Sequence, residues 1–264
     1  MKRTVTKTRH SRRRAYSAGG GGWLTSQRTA YRGTRDWQAR STEIQECEPL
    51  GRCNWYITCG AQDKWRNVLE RVPQTGGHRH EEGPVGRIEP GSGVGPGKCV
   101  FYAPDSAGLI SITTLFSDGT VDVDFNRVRL LGLEQLKGSA SVKLVGQTAS
   151  HPSNHWGRPA LVRALKILAD KFYAKFSIPL SVNDMSLEWG GLFDHEAKWS
   201  PPHQTHRDGL SADIRVIGMS AAQRVYFQQV ASTGGFRVKL ETTPPHWHIT
   251  LGSGSNRLRS SRKC

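Results

Sequence analysis

The sequence lacks any apolar run that approaches the roughly 20 residues of a membrane-spanning helix, and hydrophobic residues make up only 36% of its 264 positions. No export signal is recognisable, because glycines interrupt the stretch after the basic start, where a signal peptide has about 7–15 apolar residues. The low hydrophobic share indicates that part of the chain is not packed in a core. The length nevertheless allows one large domain or two modest ones.

Cysteine pairs with the spacing Cys-x-x-Cys are also missing, which argues against a zinc ribbon. The chain has five cysteines, which are Cys47, Cys53, Cys59, Cys99 and Cys264. Two alternatives stay open for the first four. They form two disulfides in an oxidising compartment, with a connectivity that sequence does not give, or they are free buried thiols.

Acidic residues are scarce in the first 40 positions. These positions hold eleven Lys and Arg residues against one acid, Asp36, a net charge of +10 within a chain total of +15. Such a charge run is typical of a solvated tail, so we predict a disordered basic arm over residues 1–45. A polyanionic surface such as a bacterial envelope and nucleic acid are alternative partners for it. Since no recognition helix or zinc-finger spacing is visible, we predict no specific nucleic-acid partner.

Residues 46–140 contain short strand-like runs separated by turns. Asp118-Gly119 lies between two of these runs and is a hairpin signal. The runs predict a small β-sandwich-like domain, and they cover residues 54–58, 98–102, 109–116 and 120–125. The pattern Thr75-Gly-Gly-His-Arg-His80, followed by Tyr102-Ala-Pro104, loosely resembles a bacterial immunoglobulin-like module.

A change in composition separates a second domain from this region. Residues 141–158 are rich in Ser, Asn, Gly and His and predict a linker. A domain over residues 159–255 and a basic tail over residues 256–264 follow. The order of the predicted helices and strands in this domain favours an α+β fold with a small, mainly antiparallel sheet and flanking helices.

Two helices and four strand-like runs underlie that prediction. Apolar residues at helical spacing after Pro159 predict a core-facing helix that ends before Pro179. Ser220 caps a second predicted helix, which Gly234 ends. The strand-like runs cover residues 180–187, 212–217, 236–240 and 246–251.

The residues that carry chemistry lie in two separate motifs. His246 and His248 are two apart in a predicted strand and therefore project from one face, while their apolar neighbours face the other side. Upstream, Gly209 permits a tight turn between His206 and Asp213. Two imidazoles and one carboxylate, with a fourth position open for water, make a catalytic zinc site. One strand histidine can bind the metal while the other stands beside it.

The paired motifs resemble those of zinc peptidases of the lysostaphin, D-alanyl-D-alanine peptidase and hedgehog type. The likeness is greatest to penicillin-insensitive murein endopeptidases, which have a Ser-His-x-x-Gly-x-x-x-Asp motif followed by His-x-His. This chain has Thr205-His206-Arg-Asp-Gly209-Leu-Ser-Ala-Asp213, followed by His246-Trp-His248. Residues 184–194 also resemble the run before the first motif. The resemblance covers about residues 150–255.

The resemblance implies specific roles for the motif residues. It implies that His206, Asp213 and His248 bind zinc and that His246 is the catalytic base. It further implies hydrolysis of a peptide bond in bacterial peptidoglycan, one involving D-alanine, and hence a periplasmic or extracellular site of action. Thr205 departs from the family pattern, where Ser is usual, but it keeps the hydroxyl.

Three residues upstream of His206 are candidates for contact with the substrate, namely Asp194, His203 and Thr205. The alternative for Asp194 and His203 is a surface or loop position. The alternative for the whole domain is a non-catalytic zinc-containing module that binds the cell wall or a protein. An intact base at His246 favours the enzyme.

Overall fold

The computed structural model describes residues 44–57, 59–72, 83–149, 151–192 and 206–252. Strands make up 43% and helices 17%, so sheets dominate, and the mixed sheets with two helices agree with the coarse α+β class. Two separate clusters of buried hydrophobic side chains form one core in each half of the described chain. The predicted arm up to residue 43 and the predicted basic tail lie outside the described residues.

Eight strands in the first half form two sheets. One sheet has the order β1-β8-β7-β3-β5 and the other β2-β6-β4, and every pairing is antiparallel except that of β1 with β8. The four strand-like runs found in the sequence fall on β2, β6, β7 and β8, whereas the immunoglobulin-like likeness stays a prediction. The strands are β1 (Gln45–Cys47), β2 (Arg52–Ile57), β3 (Lys64–Val72), β4 (Arg87–Glu89), β5 (Ser92–Val94), β6 (Gly97–Tyr102), β7 (Gly108–Phe116) and β8 (Val121–Val128).

The core of this half lies between the two sheets. Trp55 and Phe101 from the three-stranded sheet share one buried cluster with Ile110 and Ile112 from the five-stranded sheet. All four are almost fully buried. Each such side chain contributes about 1.5–3 kcal/mol through removal from water, so the contact between the sheets stabilises this half as a unit.

Cysteine pairing in this half combines the two alternatives left open by the sequence. A disulfide joins Cys47 and Cys53. Cys59 and Cys99 are not disulfide-bonded, and Cys99 is buried. Cys264 lies outside the described residues.

The second half forms a five-stranded sheet with two helices. Its order is β10-β12-β13-β15-β14, in which only β10 and β12 are parallel, and β9 pairs separately with β11. The mainly antiparallel sheet therefore matches the expectation for this region. The elements are β9 (Glu134–Gln135), β10 (Val142–Leu144), β11 (Trp156–Gly157), α1 (Pro159–Phe176), β12 (Leu180–Val182), β13 (Ser211–Arg215), α2 (Ala221–Thr233), β14 (Phe236–Thr242) and β15 (Pro245–Leu251).

The described residues of the segment expected to be a linker (141–158), namely 141–149 and 151–158, are built into this second half. Val142 is buried, and its strand β10 lies beside β12 in the sheet. The ring of His155 is also buried and approaches the Val182 carbonyl at 3.1 Å from Nε2. The segment is thus part of the sheet and its core, which its polar composition did not indicate.

Both helices follow their sequence signals. Helix α1 has Pro159 at its start and ends at Ser177, which adopts a left-handed conformation. Helix α2 begins with a capping box, in which Ser220 and Gln223 bond each other's backbone amides. Their buried faces cover the sheet through residues that include Leu161, Leu165, Leu168 and Phe172 of α1 and Phe227 and Ala231 of α2. Among the described residues, neither helix has the length and apolar character to cross a membrane.

The two halves contact each other at the loop after β12. Ser106 and Gly191 form an isolated β-bridge, and the Leu192 amide donates to the Asp105 carbonyl at 2.7 Å. The Gly191 amide also donates to the carbonyl of Arg207 at 3.0 Å. The first half therefore supports the loop next to the first predicted metal ligand.

Candidate metal centre

Strand β15 carries two of the predicted site residues. It lies between β13 and β14, so its backbone is held by hydrogen bonds along both edges. Trp247 and Ile249 are buried in the core on one face, where Trp247 stacks on Phe227 with ring centroids 6.1 Å apart. His246 and His248 consequently project from the opposite face, as the alternation in the sequence predicts.

The register of β13 against β15 brings the two sequence motifs together. Asp213 lies directly opposite His248, and its Oδ1 is 2.7 Å from His248 Nδ1. Asp213 Oδ2 is 3.2 Å from Nε2 of His206, which lies in the turn before β13. The turn needs Gly209, because its φ of +71° is left-handed and an added Cβ would lie 2.6 Å from the Leu133 side chain.

His206, Asp213 and His248 form a group that can hold a metal ion. Each offers one ligand atom, and these atoms all lie within 4.8 Å of one another. A tetrahedral ion with bonds of about 2.0–2.2 Å separates its ligand atoms by about 3.5 Å, so the group needs little rearrangement to bind one. His206 and Asp213 are buried, and the His248 side chain is 13% exposed, which leaves access from one side.

The electrostatics of this group favour a cation. Burial alone would raise the pKa of the Asp213 carboxyl, but hydrogen bonds with His206 and His248 hold that pKa well below its ordinary value. Burial also opposes protonation of His206, yet the hydrogen bond and charge of Asp213 outweigh it and raise the pKa of His206. Asp213 therefore stays ionised and attracts positive charge to a site shielded from water.

His246 stands at the edge of the group with a defined orientation. Its Nδ1 is 2.7 Å from the Pro244 carbonyl oxygen, which can only accept, so Nδ1 carries the proton. Its Nε2 lies 3.4 Å from Asp213 Oδ2 and 3.5 Å from Glu241 Oε2. In the neutral ring the Nε2 lone pair therefore faces the candidate metal group.

His248 has a second contact on its far side. Its Nε2 is 3.3 Å from Thr250 Oγ1, which in turn is 3.0 Å from Ser211 Oγ. A metal on Nδ1 requires the ring proton to be on Nε2, and there Thr250 accepts it. Such partners fix the tautomer and the ring plane of a ligand histidine.

Alternation over residues 212–217 predicts that Arg215 lies on the same face as Asp213, and strand β13 has this geometry. Sequence reasoning missed Thr250 as a partner of His248, although the same period of two contains the signal, since Thr250 follows His248 by two. Glu241 lies beside His246, with its Oε2 3.5 Å from His246 Nε2. The substrate-side candidates Asp194, His203 and Thr205 lie outside the described residues.

Comparison with known proteins adds no assignment to this geometry. No protein-family model matches the chain, and a search of curated proteins finds no match. Support for a function therefore comes from the geometry of the site and from the motif resemblance.

Proposed function

We propose that the chain is a zinc-dependent hydrolase that cuts a peptide bond in bacterial peptidoglycan, at a bond involving D-alanine. The activity would be of the murein endopeptidase or carboxypeptidase type. Support for zinc comes from the donor set, because two imidazoles and one carboxylate with an open position are typical of catalytic zinc. Support for peptidoglycan comes from the motif resemblance, and such a substrate places the activity in the periplasm or outside the cell.

The observation that carries the enzymatic proposal is the orientation of His246. A purely binding module needs ligands but no base, whereas here Nε2 faces the metal group and Nδ1 is fixed by the Pro244 carbonyl. The non-catalytic alternative gives no reason for this arrangement.

The chain's residues divide the reaction between them. Zinc, when bound by His206, Asp213 and His248, would activate water and polarise the scissile carbonyl. His246 Nε2 would take the proton from the attacking water and return it to the leaving amine nitrogen. The Pro244 carbonyl holds the ring in place through Nδ1 and stabilises the imidazolium that exists between the two transfers.

The proposal is tested on the full chain with purified murein sacculi. We expect zinc near one per chain by elemental analysis, and release of shorter muropeptides that a chelator stops and added zinc restores. Product masses identify the bond that is cut. Stoichiometric zinc without any released product would support the binding module instead, and absence of zinc would overturn both.

Variants separate the base from the ligands. His246→Ala is expected to keep zinc and to lose hydrolysis by about 10²–10⁴-fold, the usual contribution of a general base. Asp213→Ala or His248→Ala is expected to lose both zinc and activity. Full activity in His246→Ala would show that the assigned base is wrong.

A further inference from the structure

Arg215 lies on the metal-binding face of the sheet, one strand step beyond a ligand. It follows Asp213 by two residues in β13, and it lies directly opposite His246 of β15. Residues two apart in a strand are separated by about 6.7 Å. The side chain of Arg215 therefore starts from the row that contains the proposed base, next to the row that contains Asp213 and His248.

One side of the guanidinium is already held. Arg215 Nε donates to Asn183 Oδ1 at 3.1 Å, in a partly buried contact. Among the described residues no carboxylate lies within ion-pair distance of Arg215, unlike Arg127 and Arg129, which both pair with Glu46. The terminal amino groups of a half-buried arginine thus keep their hydrogen-bonding capacity beside the site.

A carboxylate is the group that this donor set fits. Guanidinium binds carboxylates through two parallel hydrogen bonds of about 2.8 Å. A carboxyl group on the carbon that bears the scissile nitrogen is three bonds from the scissile carbonyl carbon, at most about 4.3 Å away. Adding the C–O bond and one hydrogen bond gives a reach of at most about 8 Å, which is enough to span one strand step of about 6.7 Å.

We propose that Arg215 is a specificity-determining residue that binds a free carboxylate on the carbon attached to the scissile amide nitrogen. The preferred substrate is then a peptide that is cut next to such a carboxylate, and an ordinary internal peptide bond is a poor substrate. This inference rests on the proposed function, because it names the substrate class of the same site.

A pair of peptides tests it on the zinc-loaded full chain. Both end in D-Ala-D-Ala, one with a free terminal carboxylate and one with a terminal carboxamide. Wild type is expected to hydrolyse the acid with a kcat/KM at least 10-fold above that of the amide. Arg215→Gln is expected to lose about 10–100-fold on the acid, mainly through KM, and to leave the amide unchanged.

Two further variants sharpen the result. Arg215→Lys keeps the charge but not the paired donors, so it is expected to recover only part of the preference. Arg163→Gln removes the same charge from an exposed position on α1 and is expected to behave as wild type. Equal losses on acid and amide in Arg215→Gln would show a structural role and overturn the proposal.

Binding without turnover separates this inference from the proposed function. Titration calorimetry on His246→Ala protein is expected to give tighter binding of the acid than of the amide, by 10-fold or more. Adding Arg215→Gln is expected to abolish that difference. If wild type hydrolyses neither peptide nor sacculi, the proposed function fails, and the calorimetric difference still decides the role of Arg215. Equal binding of both peptides would overturn it.

Discussion

At the residue scale, the site depends on contacts that fix ring protons. The Pro244 carbonyl fixes the proton of His246 on Nδ1, and Thr250 offers an acceptor for the proton of His248 on Nε2. Each backbone or hydroxyl oxygen selects the nitrogen that is left for chemistry. The tautomers of His246 and His248 therefore depend on Pro244 and Thr250, two residues that do not themselves belong to the candidate metal-binding group.

Replacing Thr250 tests this dependence. Thr250→Val keeps the shape of the side chain but removes the hydroxyl near His248 Nε2, so we expect metal affinity to fall by about 10–100-fold. Competition with a fluorescent zinc chelator measures the change. Thr250→Ser keeps the hydroxyl and is expected to bind metal nearly as wild type does. Equal losses in both variants would indicate that packing, and no hydrogen bond, is responsible.

A buried histidine away from the candidate metal site predicts a pH effect on stability. Burial lowers the pKa of His155 below its ordinary value of 6.5, against a smaller opposing effect of backbone hydrogen bonds such as that with Val182. The His155 ring therefore binds a proton more readily in the unfolded chain than in the native protein. As a result, the free energy of unfolding falls as pH drops below 6.5.

His155→Gln removes this titration while its amide can still donate to the Val182 carbonyl. Between pH 8 and pH 5.5, we expect wild type to lose about 1 kcal/mol more of its free energy of unfolding than the variant does. Urea denaturation at both pH values measures the two losses. Parallel losses would mean that His155 is protonated in the native state as readily as in the unfolded state.

At the element scale, local sequence signals predicted where helices and strands lie, but they did not predict which strands pair with each other. The proline start of α1, the Ser220 cap of α2 and the alternation of β15 are all short-range patterns, and the structure has each element where these patterns predict it. The pairing of β10 with β12 joins residues separated by the whole of α1. No local pattern encodes such a partner, so this segment was interpreted as a linker.

The contrast between local patterns and long-range pairing also explains which parts of the site could be predicted from the sequence. The ligand set follows from two short motifs, and alternation correctly put both strand histidines on one face. The opposition of Arg215 and His246 depends on the register between β13 and β15. Register is fixed by tertiary packing of the two strands, so this neighbour could not be found from either motif alone.

The turn before β13 gives a prediction at this scale. Gly209→Ala combines left-handed strain with a contact at 3.1 Å to the backbone nitrogen of Arg158, so we expect a loss of roughly 1–3 kcal/mol in stability and weaker zinc binding. Gly218→Ala is the control, because Gly218 has φ of +90° with nothing within 4 Å of an added Cβ. Denaturation and zinc titration of both variants check this. Similar results for the two would remove the steric part of the argument.

At the scale of the whole molecule, the first half contacts the segments next to the candidate metal centre at the loop after β12 and at the turn that contains Arg207. Gly191 contacts Ser106 on one side and the Arg207 carbonyl on the other. The ion pair between Arg207 and Asp105, with atoms 3.6 Å apart, is partly exposed and contributes about 0–1 kcal/mol. Backbone contacts at Gly191 thus matter more than the charges around them.

A substitution at Gly191 tests whether the halves are coupled. An added Cβ would lie 2.7 Å from the Ala107 amide nitrogen, and backbone cannot yield as a flexible side chain does. We expect Gly191→Ala to weaken zinc binding as well as stability, by more than Gly218→Ala does. Zinc titration and thermal unfolding measure both. Unchanged zinc affinity in a destabilised variant would show that the first half does not support the site.

Strand β15 has one further consequence, which concerns tolerance to mutation over evolutionary time. From His246 to Leu251 its side chains alternate between the face of the candidate metal group and the core. Substitution at any of these positions would therefore disturb either the site or the packing. Its neighbour β14 exposes Arg237, Lys239 and Leu240. Of these two strands, the exposed positions of β14 are therefore expected to vary among relatives, while β15 stays nearly constant.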